Sequence, residues 1–599
     1  MTIRYAVRPA DPGAHLFHVT VRVDGPDSEG QRFALPVWNP GSYMIREFAR
    51  HIVRLTALCG GRKLRVEKLD KHTWRCARAD GEVTLAYEVY AFDLSVRAAY
   101  LDAELAFFNG AALLLAPAGR EREDCRIDLF PPARTRGGPW QLITGLRPAR
   151  GTRAGAFGTY LAQDYEELID GPVQMGRFAH ARFEACGAAH EIAISGRVAR
   201  LDLARVQADL ARLCEAHIRL FEPRRPRPPF DRYAFLTMAV DEGYGGLEHR
   251  NSSALICRRD DLPHLGMKEA TEGYRRFLGL ASHEYFHVWN VKRIRPQAFV
   301  PYDLSSENYT RLLWAFEGFT AYYDDLMLAR AGLVSEAQYL EVLGRTITTV
   351  MQRSARLKQS LAESSFDAWI KYYRQDENAP NSVVSYYQKG ALVALALDLA
   401  IRHESSARRS LDDVMRWLWR SFRLAGPDYR GVTEDGIIEA IAQATGLDLA
   451  RTVRAWTEGT RDPDLAALLQ TVGIRLQRKL ALESPHFALL GVTLQAAGGE
   501  ARVAQVFDGG PAQHAGIAAG DLLVALDGLR VAPARLDALL ARYSPGDTIE
   551  ALTFRREELH RFEVTLSRQP PPRFVLEVDE RASTAEQRRR AAWCGPRRG

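Results

Sequence analysis

The residues best placed for chemistry in this 599-residue chain are His283–His287, which read HEYFH. In a helix, side chains four apart lie on one face, so both imidazoles can point at a single cation. Glu284 sits about 100° round the helix, where it reaches water beside the cation in place of the cation itself. The flanking residues are apolar: Gly279, Leu280 and Ala281 before the motif, Val288 and Trp289 after it. Two histidines and a glutamate on a buried helix are costly unless ligated or paired. A third ligand is at hand in Glu317, a carboxylate among Trp314, Phe316, Phe319 and Tyr322. Asp303, Glu307, Asp324 and Asp325 are alternatives, and the last two also suit hydrogen bonding to a ligating histidine. Two His and one Glu describe a Zn²⁺ site with a position left for water, the pattern of a hydrolytic centre rather than a structural one. The expected chemistry is peptide hydrolysis, with Glu284 as general base.

These side chains must be positioned by a chain of several domains. Residues 1–170 read as short strands such as FHVTVRV and EVTLAYEVYAF separated by Gly and Pro turns, an all-β domain. From 171 to 332 strands (HEIAISG, RYAFLTMAV) mix with amphipathic helices, and helical periodicity dominates 333–478. A small β-rich module follows at 479–569, then a charged, aromatic-poor tail at 570–599 that is expected to be disordered. The Arg clusters at Arg224, Arg225 and Arg227, and at Arg588, Arg589, Arg590, Arg597 and Arg598, read as a solvated turn and part of that tail. The overall class is multidomain α+β.

A net charge of +6 with both signs interspersed argues against a nucleic-acid binder. No stretch reaches the roughly 20 apolar residues of a membrane span. Seven scattered cysteines without a CxxC pair fit no disulfide framework, and the N-terminus lacks a signal-peptide core. A cytoplasmic location with no membrane partner is the expectation.

Five segments together resemble the glycyl aminopeptidase family of gluzincin metallopeptidases: WNPGSYMIREFAR from Trp38, DYEELIDGPV from Asp164, GGLEHRNS from Gly245, HEYFHVWNVKRIRP from His283 and WAFEGFTAYYDD from Trp314. The resemblance covers nearly the whole chain. It implies a thermolysin-like α+β catalytic domain running into a helical one, and removal of small N-terminal residues, Gly or Ala. SYYQKG resembles the segment whose tyrosine steadies the oxyanion, which maps to Tyr387, with Tyr386 one register away. GGLEH resembles the strand whose glutamate binds the substrate's free amine, giving Glu248 that role and placing Gly245 and Gly246 along the peptide. Substrates would be peptides with a free N-terminus. Lys292, Arg293 and Arg295 suit either a structural or a substrate-facing role. LLGVTLQ and the following GGPAQHAGIAAGD resemble a PDZ domain, in which Leu489–Val492 forms the loop that takes a peptide or the C-terminal end of a protein. The other readings are a zinc endopeptidase and a non-catalytic PDZ scaffold that collects peptides.

Overall fold

A computed structural model describes residues 2–135, 138–423, 429–480, 485–569 and 571–596. The N-terminal segment is built on an eight-stranded sheet with two four-stranded sheets beside it. Its strands follow the period-2 rule. Ile3, Tyr5 and Val7 on one strand, Val19, Val21 and Val23 on the next, and Val83, Leu85, Tyr87 and Val89 on a third all turn into one core. Their alternate residues face outward, which fixes the register of the sheet.

The catalytic segment opens with a five-stranded sheet in the order 178–185, 188–195, 232–240, 252–258, 245–248. The strands Ala188–Ser195 and Arg232–Val240 run parallel, so a crossover is required, and the helix Leu203–Phe221 supplies it. The strand Gly245–Glu248 pairs antiparallel with Ser252–Arg258 and forms the sheet edge. Beneath lies the HEYFH helix, Glu272–Phe286, whose Thr271 side chain accepts from the Tyr274 amide as N-cap. Tyr274, Phe277, Leu278, Ala281, Tyr285 and Phe286 bury one flank of that helix.

Helical periodicity over 309–332 predicts one helix there. The structure instead ends a short helix at Phe316 and starts another at Gly318, with Glu317 at the junction. The reason is a close crossing: a Cβ on Gly318 would lie 2.6 Å from Gly390, and one on Gly390 would lie 2.7 Å from the Trp314 carbonyl oxygen. Only glycines allow these backbones to approach so closely. That contact brings the start of helix Gln388–Glu404 against Glu317. One apolar core runs from Ala181 through Leu469, so position 332 does not separate two cores.

The tail is the clearest departure from the sequence reading. Residues 572–578 form a strand paired antiparallel with Ile474–Leu480, and Thr584–Cys594 is a helix. Trp593 is 0% exposed, its indole N–H donates to Tyr322 Oη at 2.8 Å, and its carbonyl accepts from Arg330 at 2.8 Å. Arg589 and Arg590 donate to the carbonyls of Thr471 and Gly473. Charge-rich composition misled because one Trp-Cys pair holds the helix down. Arg597 and Arg598 lie outside the described residues.

The β-rich module is therefore inserted between two paired strands. It has its own core, including Leu489, Leu490, Val492, Leu536 and Leu540, and its strand Val492–Ala497 forms a sheet edge. It docks through Asn381, which donates to Val506 O at 2.8 Å and accepts from the Asp508 amide at 3.0 Å. Leu489–Val492 leads into the edge strand, and the Gly491 amide donates to Phe487 O at 3.0 Å. Among the described residues, no helix is long and apolar enough to cross a membrane.

Candidate active site

The HEYFH helix and the Glu317 junction converge. His283 Nε2 lies 3.6 Å and His287 Nε2 3.3 Å from Glu317 Oε2. Ligand atoms of these three residues fall within 4.8 Å of one another. Each imidazole is oriented through its other nitrogen: His283 Nδ1 contacts Asp324 Oδ2 at 3.0 Å, and His287 Nδ1 contacts the Asn290 carbonyl at 2.7 Å. Such partners fix tautomer and ring angle, and leave both Nε2 atoms aimed at the same point. Asp324 was anticipated as such a partner. The Asn290 carbonyl has no sequence signature. Of the alternative ligands, Asp303 bonds Ser305 and Ser306 in its own loop, and neither it nor Glu307 joins the cluster.

Glu284 and Glu248 complete the site. Both are buried, and with His287 they form a second set of ligand-type atoms within 4.8 Å. Glu284 Oε2 and Glu248 Oε1 have no hydrogen-bond partner. Burial, opposed by the neighbouring His283 and reinforced by Glu248, pushes the Glu284 carboxyl up to about 7. Glu317 is also buried, yet His287 and His283 hold it down at about 2. Three glutamates and Asp324 around two imidazoles leave excess negative charge in a low-dielectric space. A divalent cation fits that donor set: two imidazole nitrogens and one carboxylate, all preoriented, beside unpartnered carboxylate oxygens.

The N-terminal domain reaches into this site, which sequence reasoning missed. The WNPGSY motif reads as structural by default, although its density of aromatics beside Gly41 was the available signal. Tyr43, 1% exposed, donates to Glu317 Oε1 at 3.2 Å. Gly41 has φ +99°, and a Cβ there would lie 2.4 Å from Glu248 Oε1. The Trp38 indole anchors the loop by donating to Asp303 O at 2.8 Å.

Tyr386 and Tyr387 differ in their surroundings. Tyr386 is fully buried and its hydroxyl has no partner. The ring of Tyr387 lies 6.1 Å from that of His283, and its hydroxyl is 3.1 Å from Tyr373 Oη. Lys292 and Arg295 are buried in ion pairs. Lys292 pairs with Asp170 at 2.7 Å and Arg295 with Glu166 at 2.7 Å, while Arg293 donates to Arg250 O and Asn251 Oδ1. His249 also contacts Asp170, at 3.2 Å. The DYEELIDGPV, GGLEHRNS and VKRIRP motifs thus meet in one ionic seam between the domains, and the seam holds the base of the Glu248 strand.

Comparison with known proteins agrees with this geometry. The M61 glycyl aminopeptidase family model matches residues 276–393, and the Peptidase M61 N-terminal domain model matches 4–177. A crystal structure of an aminopeptidase N family protein from Idiomarina loihiensis is 39% identical, covering 99% of this chain and 100% of that one, with a TM-score of 0.93. The chain belongs to the M61 glycyl aminopeptidase family. This M61 member is a metallo-aminopeptidase, which sets aside a non-catalytic scaffold. Its C-terminal module, residues 488–566, matches a PDZ domain model. A more distant likeness is the M1 zinc metallopeptidase from Deinococcus radiodurans, at 13% identity over 78% of this chain and 95% of that one, TM-score 0.48. Among curated proteins no match was found.

Proposed function

We propose that this protein is a zinc aminopeptidase that removes small residues, Gly or Ala, from peptides with a free N-terminus. His283, His287 and Glu317 would hold Zn²⁺, which when bound polarises the scissile carbonyl and acidifies water. Glu284 accepts a proton from the attacking water and returns it to the leaving amine as the C–N bond breaks. Burial and the neighbouring Glu248 raise its carboxyl above the usual carboxylate range, the direction that suits proton exchange near neutrality. The Tyr387 hydroxyl donates to the oxyanion that forms on the carbonyl oxygen.

The observation that carries the exopeptidase reading is the buried, unpartnered Glu248 beside Glu284. Such a carboxylate needs a cation, and a substrate ammonium supplies one. Gly41 closes against it on one side, and a Cβ on Gly246 would lie only 2.0 Å from Glu284 Oε1. The confined space favours substrates whose first residue is Gly or Ala.

The test uses aminoacyl amides, with and without a chelator, alongside N-acetylated versions. Acetylation should lower kcat/KM at least a hundredfold. Equal cleavage of acetylated and free substrates would identify an endopeptidase. Glu284→Gln should retain its metal and lose activity by about 10²–10⁴-fold; sustained turnover in that variant would refute the assigned base.

A further inference from the structure

Two arginines, Arg97 and Arg46, stand beside the substrate strand. Arg97 Nη2 donates to the Gly246 carbonyl at 3.4 Å, and a Cβ on Gly245 would lie 3.7 Å from its Nη1. Its Nε is buried and has no partner. Arg46 stands nearby: among the described residues its guanidinium bonds only Ser42 Oγ, at 2.8 and 3.2 Å, and burial together with Arg97 lowers it to about 10 against weaker pulls from Tyr373 and Asp93. Among the described residues neither guanidinium forms an ion pair with a carboxylate. Both come from the N-terminal domain, Arg46 from the same motif that places Tyr43 on Glu317 and Gly41 on Glu248. Like charges held together in a partly buried place are unfavourable, and a guanidinium fork matches a carboxylate in particular.

Strand geometry says which carboxylate. Glu248 and Gly246 are two residues apart on the edge strand, about 7 Å. A peptide laid along that edge with its ammonium on Glu248 and its first carbonyl beside Glu284 ends its second residue next to Gly246. We propose that Arg97, supported by Arg46, receives the terminal carboxylate of a dipeptide, so that this site is built for peptides held at both ends. The inference rests on the aminopeptidase reading of Glu248 and Glu284, and names its substrate class. The reaction is unchanged: one water is consumed, one peptide bond breaks and two free amino acids leave. Longer peptides lose the carboxylate contact because they extend past Gly246.

The experiment compares Ala-Ala with Ala-Ala amide as substrates of the full-length, metal-loaded protein. The free acid should be favoured at least tenfold in kcat/KM, chiefly through KM. Arg97→Met should shrink that preference below threefold, and Arg97→Lys should keep part of it. A wild-type preference below threefold overturns the proposal, as does Arg97→Met lowering both substrates by one factor with the preference intact. Should Arg97→Met fail to fold, initial rates on wild-type protein decide: tetra-alanine should be cleaved at least tenfold less efficiently than Ala-Ala, and equal rates refute the idea. Hydrolysis of acid and amide alike would sink this inference and leave the aminopeptidase reading standing. Absence of hydrolysis of every free-amine substrate would sink both.

Discussion

Removing one oxygen from the N-terminal domain should weaken metal binding in the catalytic one. Tyr43 donates to Glu317 Oε1 at 3.2 Å, and its ring packs on Phe299, Trp369 and Tyr373 with centroids 5.7 to 6.0 Å away. Tyr43→Phe keeps those ring contacts and deletes only the hydroxyl. A hydrogen bond to a charged group contributes about 1.5–3 kcal/mol, and one 1.4 kcal/mol step is tenfold in an equilibrium constant. Both the bond energy and the general cost of losing a ligand's hydrogen-bond partner point to about 10–100-fold weaker Zn²⁺ binding. The assay is competition against a chromogenic chelator at fixed pH, with thermal unfolding of the metal-free proteins as a control. The metal-free melting temperature should move little, because no apolar contact is lost. An affinity within twofold of wild type would show that the hydroxyl does not orient Glu317. A large loss of metal-free stability would show instead that Tyr43 holds the domains together.

Tyr387→Phe should lower kcat about 10²–10³-fold with KM within threefold, since an oxyanion donor acts in the transition state; a change confined to KM would reassign it to substrate binding. Trp593→Ala should destabilise the fold by about 3–5 kcal/mol in urea unfolding, the usual cost of emptying a buried tryptophan site, and a loss under 1 kcal/mol would make the terminal helix dispensable. Burial lowers His283 and His287, but Asp324 and Glu317 around the first, and Glu317 and Glu248 around the second, raise both above the ordinary imidazole value. Coordination must displace those protons, so Zn²⁺ affinity should rise with pH through and beyond neutrality; equal affinities at pH 6 and pH 8 would contradict this.

The candidate metal-ligating cluster was legible because its constraints are local. His283 and His287 are one helical turn apart, and Glu317 was a lone carboxylate on an apolar surface. The roles proposed for Glu248 and Tyr387 come from family resemblance, since nothing in GGLEH or SYYQKG alone marks a charge or a hydroxyl for catalysis. The positions of Tyr43, Gly41 and Arg97 beside the candidate site were invisible in the sequence: they depend on how one domain sits on another, and hydrophobic periodicity carries no information about that. The terminal helix was misjudged for a related reason. Arg588, Arg589 and Arg590 dominate its composition, while Trp593 and Cys594 at its very end decide its fate by entering a core assembled hundreds of residues earlier.

The paired strands Ile474–Leu480 and Pro572–Val578, with the PDZ module between them and Trp593 beyond, set an order of events during synthesis. The core around helix Gly318–Arg330 is still missing a member when Glu317 leaves the ribosome, because Trp593 comes last. Roughly a hundred residues separate the two strands' outer ends, on the order of ten seconds of translation. A nascent polypeptide halted anywhere in the module would therefore carry His283, His287 and Glu317 and still lack the indole that packs against Tyr322 on helix Gly318–Arg330. Synthesis through Trp593 completes the packing around Tyr322.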